Sequence, residues 1–301
     1  MNYKKISILY NLYDYPDELR KKHKNPTPLL GGLVIIINIF LYCFVDYISF
    51  IEFNFFQNKS EISIFLLFSS LFFFVGYIDD KLSITPNLKL LIYILLIFIL
   101  IFFDKDLIIR KINFSFSDFI FNFQTYSIFF TILCFLLFIN SFNMLDGING
   151  QAGTYSIYIS IIFIFLNINP LFFISLIITI LFFLYFNFKD KIFLGDSGTI
   201  LLGFLISYFF IKSYNMGSTI TSDEIFLIMM IPGFELLRLA IQRLKNKRHP
   251  FSADNNHIHH LFLTRLSFFK SYFLVQFLLF FPFLFYLLIA NSFISLIVSS
   301  T

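Results

Sequence analysis

Ile62-Ser63-Ile64-Phe65-Leu66-Leu67-Phe68-Ser69-Ser70-Leu71-Phe72-Phe73-Phe74-Val75-Gly76-Tyr77-Ile78-Asp79-Asp80-Lys81 decides the fold. Every residue from Ile62 to Ile78 is uncharged, and the run then stops on two adjacent carboxylates and a lysine. A hydrocarbon core about 30 Å thick needs roughly 20 apolar residues of helix. The apolar run is continuous rather than alternating, which suits a helix and excludes a membrane barrel strand. The same pattern recurs along the chain, giving nine expected spans: 29–50, 62–78, 88–103, 126–142, 152–168, 170–188, 198–214, 224–244 and 272–290. The fold class expected is an all-α polytopic membrane helix bundle. Composition agrees: of 301 residues, 58% are hydrophobic and only 13% charged, about half the charged share of a soluble domain. A soluble enzyme, a disordered chain and a disulfide-stapled secreted domain are excluded. Cys43 and Cys134 both lie in apolar runs and read as packing residues.

Lysine and arginine orient the bundle, because cytoplasmic loops carry their excess. With the N-terminus inside and the spans alternating, only Lys59, Lys105, Arg110, Lys111 and Lys212 of the 22 basic residues fall outside. The expected topology has a cytoplasmic N-terminus and an external C-terminus. A net charge of +4 is too small to suggest nucleic acid.

The unusual polar stretches then share the inner face. They are Pro26-Thr27-Pro28-Leu29-Leu30-Gly31-Gly32, Asp79-Asp80-Lys81, Asn143 to Gly150, Gly195-Asp196-Ser197-Gly198 and the long loop from Arg243 to Lys270. Asp79, Asp80, Asp146 and Asp196 are four carboxylates at span ends, and bundling brings them together. Clustered carboxylates repel unless a cation or a proton intervenes. Mg²⁺ typically takes one or two protein carboxylates and completes its shell with substrate phosphate oxygens. Lys81, Lys89, Arg248 and the loop histidines supply partners for phosphate. Phosphate chemistry between a lipid and a water-soluble substrate follows.

These motifs, in this order, resemble the polyprenyl-phosphate N-acetylhexosamine-1-phosphate transferases (glycosyltransferase family 4), on the WecA/TagO-like side and related to MraY. Tyr13 to Pro16, Arg20 to His23 and Pro26 to Gly32 look like the first motif, and Asp79-Asp80 with Lys89 the second. Asn143 to Gly150 and Gly195 to Gly198 look like the third and fourth. Pro250-Phe251, Asp254 and His257-Ile258-His259-His260 resemble the sugar-recognition loop. The resemblance spans nearly the whole chain, as one integral-membrane transferase domain over 1–301. Its active site is expected in cytoplasmic loops near 79–89, 143–153, 189–198 and 243–270. It implies attack by undecaprenyl phosphate on a UDP-N-acetylhexosamine, in a bacterial inner membrane, with Mg²⁺ (Mn²⁺ substituting) and other membrane lipid as surroundings. A homodimer is a further expectation.

Carried over by position, Asp196 matches the metal ligand and Asn143 assists at the metal or diphosphate. Asp79 and Asp80 match the pair that engages the lipid phosphate, and Lys89 holds that phosphate. Asp146 and Asn149 contact the nucleotide side; Arg248, His257, His259 and His260 contact the diphosphate and sugar. Three features depart from the pattern. Asn149 stands where bacterial members usually carry Asp, and Glu235 where many carry Asp, here set to pair with Arg238 at i,i+3. Relatives also place a span ahead of the Pro26-Thr27-Pro28 motif, where this chain has about two dozen residues.

Taken singly, the motifs have plainer readings. Asp79-Asp80 could mark a span end, and the Asp-Gly and Asn-Gly pairs could be turns. The histidine spacing gives a crowded cluster rather than zinc ligands facing at i,i+4. A transporter or flippase is the rival class. It would place ionisable groups near the bilayer midplane, whereas here they gather at one end.

Overall fold

The computed structural model describes residues 12–16, 25–49, 55–217, 220–250, 256–289 and 292–300. Parts of the expected first motif (Arg20 to His23) and of the sugar loop (Phe251, Asp254) lie outside the described residues.

Eleven α-helices, two single-turn 3₁₀ helices and two short strand pairs are formed among them. The helices are α1 (Gly31–Ser49), α2 (Lys59–Leu82), α3 (Pro86–Phe103), α4 (Ser127–Leu145), α5 (Gln151–Phe165) and α6 (Pro170–Asn187). There follow α7 (Gly195–Asn215), α8 (Ser222–Lys245), the short α9 (Ile258–Leu263), α10 (Phe268–Ile289) and α11 (Ser292–Ser300). Strands β1 (Tyr13–Asp14) and β2 (Thr27–Pro28) pair antiparallel, as do β3 (Lys111–Phe114) and β4 (Ser117–Asn122). A helix stands at each of the nine expected spans. Seven of them are long and apolar enough to cross a membrane, which makes this a multi-pass membrane protein. The other two fall short for physical reasons. Helix α5 has 15 residues, under the usual 17–25. Helix α8 has the length but carries Asp223, Glu224, Glu235, Arg238, Arg243 and Lys245.

Helix α7 is the axis of the bundle. Its Gly195–Asn215 span is 94% buried, against 22% for Pro86–Phe103, and it packs against α1, α2 and α4. Close approach comes from glycine: a Cβ on Gly76 of α2 would lie 2.5 Å from Asp196 O, and one on Gly203 2.9 Å from Ile139 Cα on α4. Aromatic rings fill the centre, with Phe72 stacked on Phe204 at 4.4 Å. The outer helices turn Phe98, Phe102, Ile178 and Phe277 outward, as a lipid-facing surface requires. Proline inside α8 is compensated. Pro232 has no N–H for the Ile228 carbonyl four residues earlier, and the Tyr155 hydroxyl of α5 donates to that oxygen instead.

Three helices run past the expected span ends at the polar motifs. Helix α2 continues through Asp79, Asp80 and Lys81 to a left-handed cap at Ser83 (φ 52°). Likewise α4 extends past Asn143, and α7 starts at Gly195 rather than Gly198. Hydropathy ends a span at its first charge, but a helix continues while its polar side chains find partners. The polar residues expected on loops therefore sit largely on helix ends, which hold them more rigidly.

Candidate active site

The first turn of α7 is the anchor. Gly195 adopts φ +73°, and an added Cβ there would come 2.8 Å from an Asp80 carboxylate oxygen. The Asp80 carboxylate caps this helix start, accepting from the backbone N–H of Asp196 (2.8 Å) and of Ser197 (3.0 Å). A carboxylate at a helix N-terminus satisfies free N–H groups and is favoured by the helix dipole. Asp80 is thus committed to holding Asp196 in place. The segment entering the turn is fixed as well: Phe193 N donates to Pro28 O, Gly31 N to Phe193 O, and Gly32 N to Leu194 O. The Pro-Thr-Pro motif therefore works as a backbone brace for the Gly-Asp-Ser-Gly turn.

Beside this turn lies an ion-pair cluster drawn from three helices. Lys89, in the first turn of α3, pairs with Asp79 and lies 3.5 Å from Asp196 Oδ2. Asp79 also accepts from Ile84 N at 2.7 Å. The Asp79 and Lys89 side chains are only 7% and 14% exposed, whereas Asp196 is 37% exposed. Of the three, Asp196 is the one open to an incoming cation or phosphate. Asn143 approaches from α4, its Oδ1 accepting from the Thr199 hydroxyl at 2.8 Å. Tyr93, one turn beyond Lys89, buries a hydroxyl with no hydrogen-bond partner among the described residues. That hydroxyl is within electrostatic range of Asp196 and Asp79.

Asp146 follows the end of α4. The residue is exposed, yet protein surrounds its carboxylate on the longer range over which a charge is felt. That enclosure, with the nearby Asp80, pushes its pKa up to about 7. The turn after it is latched to the α6–α7 connection. Asn149 donates to Asp190 at 2.5 Å, Gly150 N donates to Asn187 Oδ1 at 2.7 Å, and Asn187 Nδ2 donates to Ile192 O at 2.9 Å.

The histidine segment closes over this turn. His259 is 2% exposed, and its ring lies directly against Gly147, in space a side chain there would need. Its Nε2 has no hydrogen-bond partner among the described residues. Burial, with His260 and His257 adding, pushes its pKa down to about 2. His259 is a neutral hydrogen-bonding group, unable to neutralise a diphosphate charge. The His257 and His259 rings stack at 5.2 Å, and His260 lies 4.4 Å from His259. Helix α8 holds this segment through Glu235 and Arg238. Glu235 accepts from Ile258 N (2.8 Å) and from Arg238 Nε (2.7 Å), and Arg238 donates to Asn256 O at 2.6 Å.

The structure thus joins Asp79, Asp80, Lys89, Asn143 and Asp196 in one cluster, and His259 to the Asp146-Gly147 turn. Arg248 stands exposed beyond the end of α8, and no described side-chain contact links it to the others. Sequence reasoning passed over Thr199, Tyr93 and Asp190. The first two had a findable signal, standing three and four residues from Asp196 and Lys89 on the same helices. Asp190 gave none, because its partner is 41 residues away.

A cluster of carboxylates, a lysine and a neutral histidine at helix ends of a membrane bundle suits phosphate transfer. Comparison with known proteins agrees. Residues 62–214 match the profile described as "Glycosyl transferase family 4". The chain is 27% identical over 274 residues to the undecaprenyl-phosphate alpha-N-acetylglucosaminyl 1-phosphate transferase of Escherichia coli K12 (86% of this chain, 71% of that protein). It is also 27% identical over 259 residues to the enzyme of that name from Thermotoga maritima (86% and 75%). The ordered motifs, the helix bundle that assembles them and the match over half of its length place this chain in glycosyl transferase family 4.

Proposed function

We propose that the chain transfers N-acetylglucosamine-1-phosphate from its UDP-sugar to undecaprenyl phosphate, at the cytoplasmic face of a bacterial inner membrane. This would be the first committed step of a cell-envelope glycan. A lipid phosphate oxygen attacks the β-phosphorus of the UDP-sugar. The bond from that phosphorus to the bridging oxygen breaks, and UMP leaves with the electron pair. The observation that carries this reading is the convergence of Asp79, Lys89 and Asp196 at the start of α7, in a chain whose relatives bear the name of that transfer. The excess of Lys and Arg on the same face supports the cytoplasmic placement.

The residues present fit Mg²⁺. Asp196 offers an accessible carboxylate, and the oriented Asn143 carbonyl oxygen offers a second hard donor. That is the one-or-two-ligand pattern that leaves room for substrate phosphates. Bound there, the ion would neutralise charge developing on the diphosphate. Everything else is positioning. A phosphate monoester, with a second pKa near 6, is already largely ionised at pH 7, so no strong base is required. Lys89 supplies the cation for the lipid phosphate, with Asp79 keeping its ammonium in place. Asp80 acts on the turn rather than on the substrate, through the two N–H groups it caps. His259 acts on the sugar-nucleotide side through the Asp146-Gly147 turn, against which its buried ring packs.

An exchange assay tests the reaction. Membranes bearing the chain, given Mg²⁺, undecaprenyl phosphate and a panel of UDP-N-acetylhexosamines, are expected to release UMP and form a chloroform-soluble sugar. No UMP from any donor would refute the proposal. His259→Ala is expected to raise KM for the UDP-sugar more than KM for the lipid phosphate. An effect confined to the lipid would remove His259 from the sugar side. Gly147→Ala places a methyl where the His259 ring lies. Misplacing such a group by about 1 Å can cost 10²-fold, so turnover should fall by at least about that factor, with a drop in melting temperature of a few degrees from the overpacked contact, about 1–3 kcal/mol. Near-normal turnover would show that the contact is dispensable.

A further inference from the structure

The opposite end of the bundle holds a second constellation that transfer chemistry does not use. A cavity of about 520 Å³ opens there, with Lys105, Arg110 and Lys111 in its wall and Asp106 as the carboxylate among its lining residues. The end of α7 fixes the wall. Asn215 Nδ2 donates to Asp106 O at 2.6 Å, and the Tyr214 hydroxyl donates to Lys111 O at 3.0 Å while accepting from Asn113 N at 3.0 Å.

The count of cations at this end makes the cavity unusual. External segments of membrane proteins are poor in lysine and arginine, and only five such residues fall here. Two have evident local partners: Lys212 pairs with Glu61 and Asp104, and Lys59 lies over the Tyr47 ring. The other three all line this one cavity, and no described ion pair joins any of them to a carboxylate. Nearby acids are engaged elsewhere, Asp104 with Lys212 and Asp223 with Ser115. Three cations and one carboxylate leave a local excess of two positive charges. Holding like charges together costs energy that a bound anion recovers. A guanidinium beside two ammonium groups suits a tetrahedral oxyanion.

We propose that this cavity binds a phosphate group at the membrane end remote from the candidate active site. The same hairpin that supplies Lys111 exposes Phe116, Phe119, Ile120 and Phe121. An apolar rim beside a cationic cavity favours the headgroup of an anionic phospholipid as the source of that phosphate.

The test uses the full chain in nanodiscs, because binding there can be read without transfer. One arm measures retention of phosphatidylglycerol by native mass spectrometry. The other titrates inorganic phosphate into discs made only of phosphatidylcholine. Each cation near a membrane surface contributes roughly 1 kcal/mol toward an anionic lipid, so the triple variant K105Q/R110Q/K111Q is expected to bind about 100-fold more weakly. Asp106→Asn removes the opposing charge and should tighten binding about fivefold, a gain that misfolding cannot imitate. Loss in the lipid arm identifies a headgroup, and loss in the phosphate arm alone a soluble phosphate; either supports the site. Equal binding of both probes by wild type and triple variant, or no gain with Asp106→Asn, would overturn the proposal. Neither result bears on the transfer assay, so the two readings fail separately.

Discussion

Asp196→Asn is expected to abolish transfer while the protein stays folded, with a melting temperature equal to or above that of the wild type. The substitution keeps the size of the side chain and removes only its charge. Asp196 is the accessible carboxylate of a cluster in which Asp79 and Asp196 share the cation of Lys89, with the Asp80 carboxylate close by as the cap of the same turn. Removing one negative charge relieves repulsion in the metal-free protein, so stability should not fall. Catalysis should fall steeply. A divalent ion supplies several kcal/mol of charge stabilisation in such a transfer, and each 1.36 kcal/mol is tenfold in rate, so a loss of about 10³-fold or more follows. Addition of Mg²⁺ should raise the melting temperature of the wild type, as any ligand of the native state does, and leave the variant unmoved. Near-normal turnover, or an undiminished Mg²⁺ shift, would remove Asp196 from the metal site.

Lys212→Met should show the reverse. Lys212 has no exposure at all, and its ammonium lies 2.8 Å from Glu61 and 2.9 Å from Asp104, whose carboxylates are 12% and 3% exposed. Tyr208 donates to the same Asp104 oxygen at 3.0 Å. The group ties the far end of α7 to the start of α2 and to the turn after α3. Removing one member of a buried ion pair strands its partners and typically costs about 3–5 kcal/mol. The expected result is a large drop in melting temperature and in folded yield. Helix rise places Lys212 about 24 Å along α7 from Asp196, so molecules that do fold should keep their turnover. Adding Asp104→Asn neutralises the stranded charge and should recover much of the loss. A single variant as stable as the wild type would show that the pair contributes nothing.

The helices and the roster of candidate residues were legible in the chain. Hydropathy is a local property, and a run such as Ile62 to Ile78 has no other stable state in a membrane than a helix. The motif order and the excess of basic residues on one face are equally one-dimensional. What those signals misplace are helix ends, because a charge looks like a boundary until its partner is known. Asp79 and Asp80 read identically as neighbours, yet one turns toward Lys89 and the other caps a helix 116 residues away. Likewise Lys212 reads only as one of a few outer basic residues and is buried in an ion pair, while His259 reads as one of several phosphate or sugar partners and is packed on the Gly147 turn. These outcomes depend on packing between segments more than a hundred residues apart, through close contacts such as Gly76 against the α7 backbone. Burial and pairing decide which charge survives and what it faces. The sequence by itself determined that these residues form a membrane-embedded bundle with its polar chemistry at one end, and only the tertiary structure decided which of them brace and which are left open to a substrate.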